Sequence, residues 1–130
     1  MTSLDTNVLV RYLAKDDEVQ YLKVLQLLNR KRVNFFLCDL VLAETDWVLR
    51  SVYNWTSGEV ADALVLLTTI PNLSFENEAR LRASFKALRE GADLADELIV
   101  RTSRDRGVSS FATFDKGIVR RHKPFAAIPG

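Results

Sequence analysis

Four acids stand out by where they fall: Asp5, Glu44, Asp96 and Asp115. Asp5 ends the short apolar stretch that opens the chain, in Ser3-Leu4-Asp5-Thr6-Asn7-Val8-Leu9-Val10. Asp115 repeats that placement after the apolar run from Val108 to Phe114. Asp96 lies in the first turn of a helix that Asp93 would open. Glu44 projects between Trp47 and Val48 on a helix, on or beside the face that should pack. A lone glutamate there costs free energy unless something compensates it. Carboxylates drawn together from separate elements cannot all stay ionised without a counter-charge. A divalent cation would supply one, and oxygen-only donors favour a hard ion, Mg²⁺ or Mn²⁺. Such an ion can lower the pKa of a bound water and bind a phosphoryl oxygen. A neighbouring carboxylate can then take the proton.

Taken singly, each acid also has a plain structural use. Asp5 can cap the first helix, Asp93 can cap its own, and Asp115 can serve a turn. Glu44 can be a tolerated boundary residue. Other chemistries lack their residues. The only histidine, His122, lies in a basic segment, so no Ser-His-Asp or Cys-His set is available, and no glycine-rich phosphate loop is present. The single cysteine, Cys38, sits in the apolar run Phe35-Phe36-Leu37-Cys38 and reads as core.

The elements that must position these acids follow from periodicity. A short first strand leads into a helix over Val8–Ala14. A second helix spans about Glu18–Arg30, with Val19, Leu22, Leu25 and Leu28 inward. Val33–Cys38 is a buried strand. A helix from Val41 to Tyr53 follows, with Asp46 and Arg50 as its solvent stripe. Ser57 caps a helix over Glu59–Leu67, Leu73–Phe75 is a strand, and Asn77–Glu90 is a helix stopped by Gly91. The helix opened by Asp93 runs to Arg106, with Gly107 behind it. Val108–Phe114 is a strand, and Phe125–Ile128 is an edge-strand candidate. Strands separated by helical connections imply a parallel sheet with helices on both faces. In such sheets the ligand crevice lies outside the carboxyl ends of the strands, where Asp5 and Asp115 would stand.

The 130 residues suit a single domain with a real core. At 48% hydrophobic and 27% charged, the composition is that of a folded globular chain. No apolar run approaches the roughly 20 residues of a membrane helix, and no signal peptide is visible, which points to the cytoplasm. The net charge of +1 hides an asymmetry. From Leu98 onward, Arg101, Arg104, Arg106, Lys116, Arg120, Arg121 and Lys123 face only Asp105 and Asp115. A basic C-terminal third can be a polyanion-facing surface or a solvated face.

The ordered set Leu4-Asp5-Thr6-Asn7-Val8-Leu9, Glu44 before Trp47-Val48-Leu49-Arg50, Asp93-Leu94-Ala95-Asp96, and Thr113-Phe114-Asp115-Lys116 resembles the PIN-domain ribonucleases. More narrowly it resembles the VapC toxins of prokaryotic toxin–antitoxin pairs. The similarity covers nearly the whole chain. It implies a three-layer α/β/α sandwich around a central parallel sheet and Mg²⁺- or Mn²⁺-dependent cleavage of RNA. It also implies a homodimer neutralised by a VapB-type antitoxin, with DNA met only through that antitoxin. Carried over by residue, the metal-site acids are Asp5, Glu44, Asp96 and Asp115. Thr113 matches a hydroxyl residue beside the last acid, and Asn7 a polar residue supporting the first. Leu94 stands where an aromatic is common. Glu97 stands where a small residue is common, and is expected to face solvent or add a carboxylate to the rim.

The implied reaction is hydrolysis of a phosphodiester by a metal-activated water in line with the leaving oxygen. RNA would be held by Arg101, Arg104, Lys116, Arg120, Arg121 and Lys123, with Trp55 or Tyr53 as stacking candidates. The alternative is a PIN-fold binding module that has lost the chemistry. A haloacid-dehalogenase-like phosphatase would need an acid at position 7, which is Asn7. A receiver domain would need an aspartate after the third strand, where the chain has Glu76 and Asn77.

Overall fold

Strands of two or three residues, too short to stand alone, are tied together here by parallel pairing. The computed structural model describes residues 1–130. The strand β1 (Thr2–Ser3) pairs with β2 (Phe35–Leu37), and β2 with β3 (Leu73–Phe75), all parallel. A second parallel pair joins β4 (Phe111–Ala112) to β5 (Ala126–Ala127). Between them run α1 (Thr6–Ala14), α2 (Glu18–Leu28), α3 (Asp39–Ser51), α4 (Ser57–Leu67), α5 (Glu78–Arg89), α6 (Leu94–Asp105) and α7 (Lys116–His122). The result is the expected α/β/α arrangement, a central parallel sheet flanked by helices.

Phe35 and Leu37 of β2 are fully buried, because the middle strand is covered on both sides. Around it lies one core of fifteen buried residues, with Leu42 and Leu49 from α3, Leu64 and Leu67 from α4, Leu81 and Leu88 from α5, and Leu94 and Leu98 from α6. A separate small core joins Val100 of α6, Ile118 of α7 and Ala126 of β5, with Phe111 and Phe125 packed against it.

Several local readings are corrected. The cap of α4 is Thr56, not Ser57: its side chain accepts from the Glu59 N–H while Glu59 reaches back, a full capping box. On α2 the buried residue is Val24, and Leu28 packs on the core as expected, while Val19 and Leu22 are exposed, so the inward stripe is rotated toward Val24. The strand after Gly107 shrinks to Phe111–Ala112, and α7, hidden in a run of charged residues, was not anticipated. Gly107 does sit behind α6 with φ +82°, the left-handed conformation glycine adopts cheaply.

The largest correction concerns Asp46 and Arg50. Asp46 is 1% exposed and faces inward. Its Oδ2 accepts from Arg50 Nη2 at 2.6 Å and from the Leu94 N–H at 3.0 Å, so it ties α3 to the start of α6. Arg50 also reaches Asp93 at 2.8 Å. Burial works to lower the Arg50 pKa, but Asp46 and Asp93 outweigh it and raise it. Periodicity puts the pair on one face of the helix, but the start of α6 covers that face, so it is not the solvent stripe.

Candidate metal centre

Asp5 stands one residue beyond β1, after Leu4, and is the N-cap of α1, its Oδ1 accepting from the Asn7 N–H at 2.9 Å. Asp115 stands beyond β4, after Thr113 and Phe114, and caps α7, its Oδ1 accepting from the Ile118 N–H at 3.0 Å. Capping and ligation are therefore compatible, since each cap engages one carboxylate oxygen and leaves Oδ2 free. Thr113 Oγ1 accepts from the Asp115 N–H at 3.0 Å, so the hydroxyl residue fixes the backbone of the last acid. Asn7 supports Asp5 through its main-chain N–H.

Glu44 does not lie on the packed face of α3 as expected; it is exposed. Its Oε2 accepts from Thr6 Oγ1 at 3.4 Å, which brings it beside the residue that follows Asp5. Nothing in the local sequence singles out Thr6 for this contact, which spans 38 residues of chain. Asp96 is half-buried in the first turn of α6. Its carboxyl is held above the usual range, first by burial and then by the charges of Asp93 and Asp115, with Arg121 pulling the other way. Asp115 is thus close enough to Asp96 to be felt by it. Asp93 stands at the N-cap position of α6 but makes no side-chain cap hydrogen bond, because Arg50 takes its carboxylate instead.

Salt bridges separate these acids from their neighbours. Asp93 and Glu97, which flank Asp96, both pair with arginines, as do Asp39 and Asp46. Asp5, Glu44, Asp96 and Asp115 form none, and of the remaining acids only Asp17, Glu18, Glu59 and Glu90 share that. Glu97 does not face solvent: it is fully buried and bonded to Arg101, Arg121 and His122. Burial alone would raise its pKa, but His122 and Arg121 prevail and hold the carboxyl below the usual range.

The chain matches the PIN-domain family model over residues 3–123. It belongs to the PIN-domain family. That membership places it in a superfamily of nucleases and RNA-binding domains. No curated protein and no solved structure matched it. For this PIN domain the fit of a divalent metal can be tested on its own residues. The donor chemistry fits, because the four acids are all-oxygen ligands without a cation partner and one of them resists ionising. The spacing does not gather them fully: no three or more His, Cys, Asp or Glu side chains stand close enough to hold an ion. The expected four-way convergence is thus not seen: Glu44 touches Thr6 beside Asp5, and Asp115 acts on Asp96 through its charge.

The basic residues are also sorted by the fold. Arg101 and Arg121 are held by Glu97, and Arg104 lies over the Phe125 ring at 4.6 Å. Lys116, Arg120 and Lys123 remain exposed. Tyr53 is engaged through its hydroxyl by Arg11 and Asp16, and Trp55 lines an apolar cleft with Tyr12, Tyr21 and Leu66. Neither is displayed as a free stacking platform.

Proposed function

We propose that this PIN domain is a metal-dependent endoribonuclease of the VapC type. The carrying observation is the set of four carboxylates without salt bridges, one of them pushed up by burial and by like charges. Asp5, Glu44, Asp96 and Asp115 would hold a Mg²⁺ or Mn²⁺. When bound, that ion supplies a lowered water pKa and a Lewis acid for the phosphoryl oxygen. The chain's own residues do the rest. The helix caps orient Asp5 and Asp115, and Thr113 fixes the latter. Lys116, Arg120 and Lys123, on the segment that carries Asp115, would bind the RNA backbone.

The toxin assignment brings further proposals. The apolar cleft over Tyr12, Leu13, Tyr21, Trp55, Leu66 and Ile70 suits an apolar segment of a VapB-type antitoxin. The exposed Leu40, Trp47 and Ile99 suit a homodimer. No helix is long and apolar enough to cross a membrane, and a cytoplasmic location is part of the same reading.

Purified protein should cut RNA with Mn²⁺ and stop in EDTA, and Asp5→Asn should lose about 10²-fold or more in rate. Cleavage that survives both chelation and substitution would overturn this mechanism. A second reading, a PIN-fold binding module without chemistry, is favoured by the lack of a three-carboxylate cluster. RNA retention without cleavage under any divalent metal would decide for it.

A further inference from the structure

Glu97 is a fully buried carboxylate outside the proposed set of ligands. It comes from the first turn of α6, directly after Asp96. Its Oε2 accepts from Arg121 Nε at 3.2 Å and shares a 2.8 Å hydrogen bond with His122 Nε2. Arg101, one turn along α6, reaches its Oε1 at 3.4 Å. Arg121 and His122 are the last two residues of α7, and Asp115 caps the other end of that helix. The helix has seven residues, too short to persist without tertiary support. Its buried apolar anchor is Ile118, in the small core apart from the main one.

An apolar side chain at position 97 would bury more cheaply than a charge. What the acid adds is direction, because it accepts from fixed donors on one partner helix. It also occupies Arg121. A Cβ placed on Gly117 would lie 3.0 Å from Arg121 Nη1 and 3.1 Å from Asp115 Oδ1, so that guanidinium and that carboxylate flank the same glycine. Released from Glu97, Arg121 could pair with the acids whose lack of a cation partner the site depends on.

We propose that Glu97 is a positioning residue. Through Arg121 and His122 it latches α7, the helix that Asp115 caps, to α6, which carries Asp96, and keeps Arg121 from a salt bridge with either acid. This inference rests on the metal-dependent reading above. In Glu97→Gln, titration with Mn²⁺ alone should show affinity weakened about 10- to 100-fold, the range for residues that orient ligands. The kcat on RNA should fall while KM holds. Amide exchange in Lys116–His122 should accelerate at least about tenfold relative to Ser57–Leu67, as for a locally released segment. Arg121→Met, at a half-buried site, should accelerate the same amides and serves if Glu97→Gln does not fold. If exchange over α7 keeps step with α4 in whichever variants fold, the latch is overturned. If Glu97→Gln binds Mn²⁺ as the unsubstituted protein does, the positioning role is overturned. Should the unsubstituted protein bind no Mn²⁺, the nuclease reading falls, and amide exchange still decides the latch.

Discussion

At Asp96 a half-buried carboxylate faces two others, Asp93 and Asp115, and its charge is a cost to the metal-free fold. A carboxyl raised in the folded state stabilises below its unfolded value and loses that contribution as pH climbs through the folded one. Asp96→Asn should therefore raise the melting temperature in EDTA at neutral pH. It should also remove the extra stabilisation that Mn²⁺ gives the unsubstituted protein. Differential scanning fluorimetry with and without the ion checks both. Glu97 has the opposite sign. Its folded pKa is depressed, so its contribution is present above the ordinary glutamate value and is lost as pH falls through the lower folded one. The stability gap between the protein and Glu97→Gln should be widest at neutral pH and close in acid, as urea melts at a series of pH values will show. Glu97→Ala should cost about 3–5 kcal/mol at neutral pH, because Arg121 and His122 lose their buried partner.

Among the elements, α3, α6 and α7 are held in order by two ionic ties as well as by leucines. Asp46 joins α3 to α6 through Arg50 and the Leu94 N–H, and Glu97 joins α6 to α7. The first tie places the helix of Glu44 against that of Asp96, so both ties bear on the site. Asp46→Ala leaves Arg50 and a buried N–H short of an acceptor and should cost about 3–5 kcal/mol in urea unfolding. The α4 cap has a smaller, local effect: Thr56→Ala should cost about 1 kcal/mol without touching activity, since the box serves only that helix.

Across the whole molecule, the near-neutral charge is unevenly placed: the C-terminal third holds Arg101 and Arg121 tied to Glu97, and Lys116, Arg120 and Lys123 exposed. Only exposed cations can trade counterions with RNA. Replacing Lys116, Arg120 and Lys123 with Gln should weaken RNA binding and flatten its salt dependence by about 0.7 in log–log slope per lost phosphate contact on a single strand. Replacing Arg104, seated on Phe125, should leave that slope nearer its original value. Fluorescence anisotropy of a labelled RNA over a salt series measures both.

The sequence by itself determined what is local or repetitive. Apolar strands alternating with helices implied the parallel sheet, Gly107 marked the end of α6, and Asp5, Asp96 and Asp115 stood at element boundaries where capping and ligation want the same residue. Helical periodicity reports which residues share a face, but not what covers that face. Only the tertiary structure could therefore decide that Asp46 turns inward and Glu44 outward, and that Glu97 is sealed beneath His122. It also decided which arginines are free, because a guanidinium's partner lies across the fold and leaves no trace in local spacing. The distance between Asp96 and Asp115 belongs to the same class. It is set by how a seven-residue helix is pinned to its neighbour, and chain order does not encode it.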